Sequence, residues 1–313
     1  MMINYKNVVK HKLPTTHEEW LAGRLKGIGG SDAGAILGLN EYKSAYTLWC
    51  EKTGRISNSI DNEAMRLGRD LEDYVAKRFE EATGKKVRRS GYSYQSKDYP
   101  FMLANVDRLI VGEDAGLECK TANMLTRTRY DKGDIPANYY AQCMHYMAVT
   151  GLSKWYIAIL VMNKGFYYFE VLRDDQEIKA LIDEEQSFWE HVETDTEPYI
   201  DGSNSTAESL HELYPNSNNQ TIDIFGHENE LKRYFFVKEQ IRKLESEKKE
   251  YENQFKHELG DAESGFISNY IVNWKGQTRN SVDVKKLQDK YPKVYDECLK
   301  KTSYRKFEIK EAK

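Results

Sequence analysis

Two carboxylates and one amine stand at a spacing that suits metal-assisted hydrolysis. Glu118-Cys119-Lys120 forms a Glu-x-Lys triplet, and Asp107 lies eleven residues upstream of Glu118. Side chains alternate along a strand, so Glu118 and Lys120 share one face. With Asp107 on a partner strand, both carboxylates can converge on one divalent cation. Hard oxygen ligands suit Mg²⁺, with Mn²⁺ able to substitute. A lysine ammonium beside that cation can orient an attacking water or offset phosphate charge. Phosphodiester hydrolysis needs this set: a Lewis acid, an activated water and a cation near the developing charge. The triplet alone carries little weight. It occurs seven times, starting at Glu41, Glu118, Glu177, Glu230, Glu247, Glu308 and Glu311. Most copies read as solvated surface charge on helices or at termini. Glu118 differs because it lies in an apolar strand reached from Asp107 by a hairpin.

Other polar residues fall nearby in the pattern. Gln142 and Tyr146 are four residues apart in Gln142-Cys143-Met144-His145-Tyr146, on one helix face. Glu72 sits beside apolar Leu71 in a helical pattern. Taken singly, these read as an ordinary amphipathic helix and an exposed acid.

The elements that must position these groups follow from periodicity. Residues 15–60 read as short helices joined by Gly-rich turns, with Ser31-Asp32 as an N-cap. Asp61 opens a long helix that Gly84 ends. Two antiparallel strands are expected at about 103–111 and 115–120. A polar, basic loop covers 121–135. Pro136 suits the first turn of a helix reaching Thr150. WYIAILVM and GFYYFEVL read as two more strands, and Asp174-Asp175 starts an acidic helix to about His191. The expected fold is α+β: a central mixed β-sheet flanked by helices, in residues 1–200. Residues 201–225, rich in Ser, Asn and Gly, read as a linker. Residues 226–313 form a helical and β extension suited to self-association, partner binding or DNA contact. Within it Leu231, Tyr234, Val237, Ile241, Leu244, Tyr251, Phe255 and Leu259 nearly keep a heptad rhythm, interrupted by Lys248. A strand over 265–275, a helical stretch over 283–301 and a short strand at 305–310 complete it.

The 313 residues are 40% hydrophobic, 31% charged and 12% aromatic, enough for a sizeable core. No run approaches the ~20 apolar residues of a membrane span. The opening residues lack a signal peptide's apolar segment. Cys50, Cys119, Cys143 and Cys298 are scattered with no CxxC pair. That argues against a disulfide framework, a zinc knuckle and an iron–sulfur cluster, and the expected compartment is a reducing cytoplasm. The net charge is −4, yet residues 174–230 hold sixteen acidic side chains and one Lys. The rest of the chain is therefore net basic, which permits an anionic partner such as nucleic acid without demanding it.

Four ordered segments carry a resemblance to a known family: GIGGSDAGAILGLNEYKSAYTLWCEKTG, LGRDLEDYVAKRFEEATG, ANVDRLIVGEDAGLECKTAN and YYAQCMHYMAVTG. They resemble the YqaJ-like viral recombinase nucleases, the phage lambda exonuclease family within the PD-(D/E)XK superfamily. The usual Pro-Asp is here Val106-Asp107, and the Asp is the ligand. The resemblance implies that Asp107 and Glu118 ligate Mg²⁺ with the Cys119 backbone carbonyl. Glu72 completes the site as a ligand or through bound water, Lys120 helps activate and position the nucleophilic water, and Gln142 orients site groups with Tyr146 in support. Arg24 and Ser31 match a motif that grips a terminal 5′-phosphate, although Ser31 also reads as a plain N-cap. The implied activity is 5′→3′ degradation of one strand of linear duplex DNA, leaving 3′ single strands for recombination by strand annealing. A single-strand annealing protein, a ring-shaped trimer, a phage or prophage origin and a bacterial host cytoplasm follow from the same likeness. Two alternatives stand beside it: a structure-specific or nicking endonuclease on the same core, and a DNA-binding protein with a decayed site.

Overall fold

The computed structural model describes residues 7–57, 62–123, 130–300 and 302–311. The chain divides into two units, Met1–Pro215 and Asn216–Lys313. Along the first run β1 (Val8–Lys12), α1 (His17–Arg24), β2 (Ile28–Gly29), α2 (Gly30–Ile36), α3 (Ala45–Lys52) and α4 (Glu63–Thr83). Then come β3 (Val87–Arg88), β4 (Tyr92–Ser96), β5 (Met102–Ala104), β6 (Arg108–Ile110) and β7 (Ala115–Ala122). The unit closes with α5 (Ala137–Thr150), β8 (Lys154–Val161), β9 (Gly165–Leu172), α6 (Asp175–Glu193) and α7 (Asn204–Leu213).

The sheet β3-β6-β7-β8-β9 is mixed. β6 pairs antiparallel with β7, and β8 with β9, while β7 and β8 run parallel. A parallel pair needs a crossover, and α5 supplies it. β8 is apolar on both sides because both its faces are covered. Trp155, Ile157, Ile159 and Val161 pack with Cys143, Met144 and Met147 of α5. Tyr156 and Ala158 face the opposite way, onto Val75 and Phe79 of α4. Fully burying a side chain such as Phe79 stabilises by roughly 1.5–3 kcal/mol. The second sheet, β1-β4-β5-β2, packs its inner residues Val8, Tyr94, Met102 and Ala104 into the α5 core.

The structure departs from expectation in several places. The strand expected at 103–111 is two strands in different sheets, interrupted at Asn105–Asp107, so the described residues of the first unit form two sheets. The break occurs because the Asp107 carboxylate turns back to accept the Cys119 backbone N–H, 2.7 Å away. α4 is capped by Asn62, whose side chain accepts from Met65 N, and Asp61 lies outside the described residues. Gly84 ends α4 in the left-handed region, φ 71°, as its missing Cβ allows. Part of the expected loop, residues 124–129, is also outside the described residues. The N-cap of α2 is Gly29; Ser31 and Asp32 sit in its first turn, and Asp32 Oδ2 accepts from Gly29 N.

The expected linker 201–225 contains helix α7. Its Ser and Thr residues face inward: Ser44 N donates to Ser205 Oγ at 2.8 Å, and Thr47 Oγ1 lies 2.9 Å from Ser209 Oγ. Hydroxyls usually mark loops, but here they are satisfied by those of α3. In the second unit the heptad-like stretch is α8 (Glu228–Leu259). The strand expected over 265–275 is a hairpin, β10 (Ser264–Ile267) and β11 (Tyr270–Asn273), turning at Ser268. The last helical stretch is split into α9 (Val284–Lys290) and α10 (Pro292–Glu297). No strand forms at 305–310. Among the described residues no helix is long and apolar enough to cross a membrane.

Candidate active site

Strand β7 presents Glu118 and Lys120 on one face, as alternation requires, with Lys120 Nζ 2.7 Å from Glu118 Oε1. From the facing helix α5, Gln142 Nε2 donates to the same Oε1 at 2.7 Å and to the Tyr146 hydroxyl at 2.8 Å. The i, i+4 spacing of Gln142 and Tyr146 is thus used as a relay onto Glu118. Asp107 reaches the group from the bend before β6, pinned by the Cys119 N–H. Lys120 also lies 5.1 Å from the centroid of the Tyr139 ring. The Cys119 side chain turns to the α4 face, and burial pushes its thiol well above the ordinary value.

Glu72 is held elsewhere. Buried Arg108 binds it through Nη1 and binds Asp73 through Nη2, while Nη1 also donates to the Asp107 carbonyl at 2.6 Å. Among the described residues no three carboxylate, imidazole or thiol groups close on one point. The remaining pair nevertheless fits a hard cation. Glu118 is only 4% exposed, and its Oε2 is buried without a hydrogen-bond partner. Burial, then the charges of Glu118 and Glu72, pushes the Asp107 carboxyl well above its ordinary value. Such a cluster lacks positive charge that a divalent ion would supply. Burial opposes a charged Lys120, but Glu118 and then Asp107 raise its ammonium above the usual lysine value. In this structure Lys120 stands as an ammonium paired with Glu118.

A second group adjoins the first. Arg24, at the end of α1, donates through Nη2 to Ser31 Oγ at 2.9 Å and to Asp32 Oδ1 at 2.7 Å. Asp32 is 2% exposed, and Lys52 Nζ reaches its Oδ2 at 2.7 Å. Lys52 also donates to the Arg24 and Gly27 carbonyls. Burial would raise the Asp32 carboxyl, but Arg24 and Lys52 hold it far below its ordinary value. Two cations around one carboxylate leave one net positive charge, and Arg24 Nε is buried without a partner. That charge and that spare donor suit an anion. α2 meets α5 without side-chain bulk: a Cβ on Gly30 would fall 2.6 Å from the Tyr146 ring.

These two groups share a cleft of about 430 Å³, lined by Arg24, Ser31, Glu72, Asp107, Glu118, Lys120, Gln142 and Tyr146. Of the residues expected from the sequence, only Cys119 does not line it. Sequence reasoning missed Arg108, Lys52 and the bridging role of Asp32. Arg108 follows Asp107 directly, which is a usable signal. Lys52 carries none, since it stands 20 residues from Asp32.

The chain and its fold are similar to known proteins. Residues 19–153 match the YqaJ-like viral recombinase domain. The chain is 44% identical over 302 residues to protein YqaJ of Bacillus subtilis (strain 168), covering 95% of each. Its fold is similar to an alkaline exonuclease from Laribacter hongkongensis, with TM-score 0.50 and 22% identity over 57% of this chain and 94% of that one. A crystal structure of that exonuclease in complex with dAMP matches equally well, with TM-score 0.50 and 24% identity.

Proposed function

The chain belongs to the YqaJ-like viral recombinase family, and on that premise we propose that it is a Mg²⁺-dependent exonuclease that degrades one strand of linear duplex DNA. One observation carries the proposal: a carboxylate pair with an unpartnered buried oxygen lies in the same cleft as an arginine–serine anion site. Asp107 and Glu118 would hold the cation, with the Cys119 carbonyl and Glu72 as the further oxygen donors. When bound, Mg²⁺ would supply Lewis acidity and lower the pKa of a water that it holds. Gln142 fixes the Glu118 carboxylate, and Tyr146 fixes Gln142. Lys120 places its ammonium beside the scissile phosphate, where negative charge builds in the transition state. Arg24 and Ser31 hold the 5′-phosphate of the duplex end. That contact sets a 5′→3′ direction and leaves a 3′ single strand, the substrate of a strand-annealing partner in recombination. Such an enzyme works in the cytoplasm of a bacterial host, and assembly as a ring-shaped trimer belongs to the same proposal.

The test is linear and covalently closed duplex DNA incubated with Mg²⁺ or excess chelator, with products resolved by strand. Linear DNA should be consumed only with the metal, and Asp107→Ala or Glu118→Ala should abolish turnover. A 5′-phosphate end should react about tenfold to a hundredfold faster than a 5′-hydroxyl, the worth of charge-assisted bonds at ~1.5–3 kcal/mol. Arg24→Ala should erase that preference. Closed circles cut as fast as linear DNA would move the assignment to an endonuclease. DNA binding without any metal-dependent cleavage would mark a decayed site.

A further inference from the structure

Helix α8 is 32 residues long, about 48 Å, and none of its side chains is buried. A lone helix is marginal in water, and helices in proteins are held chiefly by packing an apolar stripe. α8 has such a stripe. Tyr234, Val237, Ile241, Leu244, Tyr251 and Phe255 follow alternating steps of three and four, with Lys248 filling the one gap. These are the a and d positions of a heptad repeat, starting with Tyr234 at a. The six apolar side chains are between 38% and 63% exposed. An exposed apolar seam from Tyr234 to Phe255, broken only by Lys248, calls for a partner of matching shape.

The flanking charges select which partner. The e positions hold Lys238, Glu245 and Glu252, and the g positions hold Arg233, Gln240, Glu247 and Gln254. In a parallel pair, each g residue meets the e residue five places on in the other chain. Arg233 would meet Lys238, Glu247 would meet Glu252, and the two Lys248 side chains would face each other in the seam. All three contacts set like charge against like. With the second helix reversed and Ile241 opposite Tyr251, Lys238 meets Glu252 in both halves of the seam. Lys248 then faces Leu244, one residue from Glu245 of the other copy. The Glu245–Glu245 and Glu247–Glu247 contacts on the two flanks of the midpoint are repulsive, and the two Lys248 ammoniums that lie between them offset part of that. A single lysine at an a position is a known device for fixing register and orientation.

We propose that α8 is a self-association helix, through which two copies of this chain pair as an antiparallel coiled coil. The pairing is independent of the nuclease reading, because it uses no residue of the cleft.

The test uses the full chain. Light scattering or sedimentation should show the assembly mass halved in the Ile241→Glu/Leu244→Glu double variant, whatever else the first unit assembles into. The variant's circular dichroism and melting curve report whether its fold survives. Orientation is read by bridging with a short bismaleimide in a Cys298→Ser background, since Cys298 is the exposed native thiol. Ile241→Cys mixed with Tyr251→Cys should yield a cross-linked dimer, and neither variant alone should. A mass unchanged by the glutamates would overturn self-association through α8. Bridging of Ile241→Cys with itself would overturn the antiparallel arrangement, because like positions meet only in a parallel pair.

Discussion

Lys120 is the residue whose chemistry is most constrained. It is locked to Glu118 and held as an ammonium by the carboxylates around it. Lys120→Ala should lower the cleavage rate by roughly 10²–10³-fold, the worth of one donor aimed at developing charge. DNA affinity should change little, because phosphate contacts are spread over many basic groups and one lost contact shifts the salt slope by about one. Single-turnover rates and binding isotherms at several salt concentrations separate the two effects. A near-normal rate would make the Glu-x-Lys triplet ornamental. Spacing made Asp107, Glu118 and Lys120 visible as a group because they lie on one strand and one hairpin, and it put Gln142 and Tyr146 on one helix face, but only the family resemblance joined the two sets. Arg108's hold on Glu72 was not visible, since it joins α4 to β6 across 36 residues.

Two element contacts position the site. Gly30 lets α2 approach the Tyr146 ring, so Gly30→Ala must push that ring aside. Overpacking of this kind costs about 1–3 kcal/mol. It should also slow cleavage by loosening Gln142 from Glu118, which melting curves and initial rates report together. Full activity in Gly30→Ala would show that the Tyr146 relay is dispensable. The second contact is a buried pair that joins α5, α6 and β5. His145 Nδ1 lies 2.8 Å from Glu185 Oε1, and Nε2 lies 2.9 Å from the Leu103 carbonyl. Both ring nitrogens face acceptors, which suits an imidazolium. Burial would lower the His145 pKa, but Glu185 raises it above its ordinary value. Its stabilisation is therefore complete below the unfolded value near ~6.5 and is lost as pH rises through the folded value. The melting temperature should fall as pH rises above ~6.5, and His145→Gln should flatten that slope. A slope unchanged in His145→Gln would remove the pair from the account.

At the scale of the molecule, the boundary at Pro215/Asn216 falls in an exposed stretch, 215–227, without helix or strand. Exposed irregular backbone is where proteases cut first. Chymotryptic digestion should open the chain after Phe225, which is 82% exposed. The N-terminal fragment should retain metal-dependent cleavage if residues up to 215 form the nuclease unit. Its loss on a clean cut would show that the second unit contributes to the site.

The sequence by itself determined the local parts. Periodicity of 3.6 or 2 fixed α4, α5, α6, β8 and β9 within a few residues, because one buried face dictates the spacing of apolar side chains. Alternation on β7 placed Glu118 and Lys120 together for the same reason. The tertiary structure decided what depends on distant partners. The break at Asn105–Asp107 exists because a carboxylate finds a backbone N–H twelve residues on. Helix α7 exists in a stretch composed like a linker because Ser44 and Thr47 satisfy its hydroxyls across about 160 residues of chain. Lys52 joins Arg24 on Asp32 because folding brings its ammonium there, and no local pattern records an ion pair between separate helices.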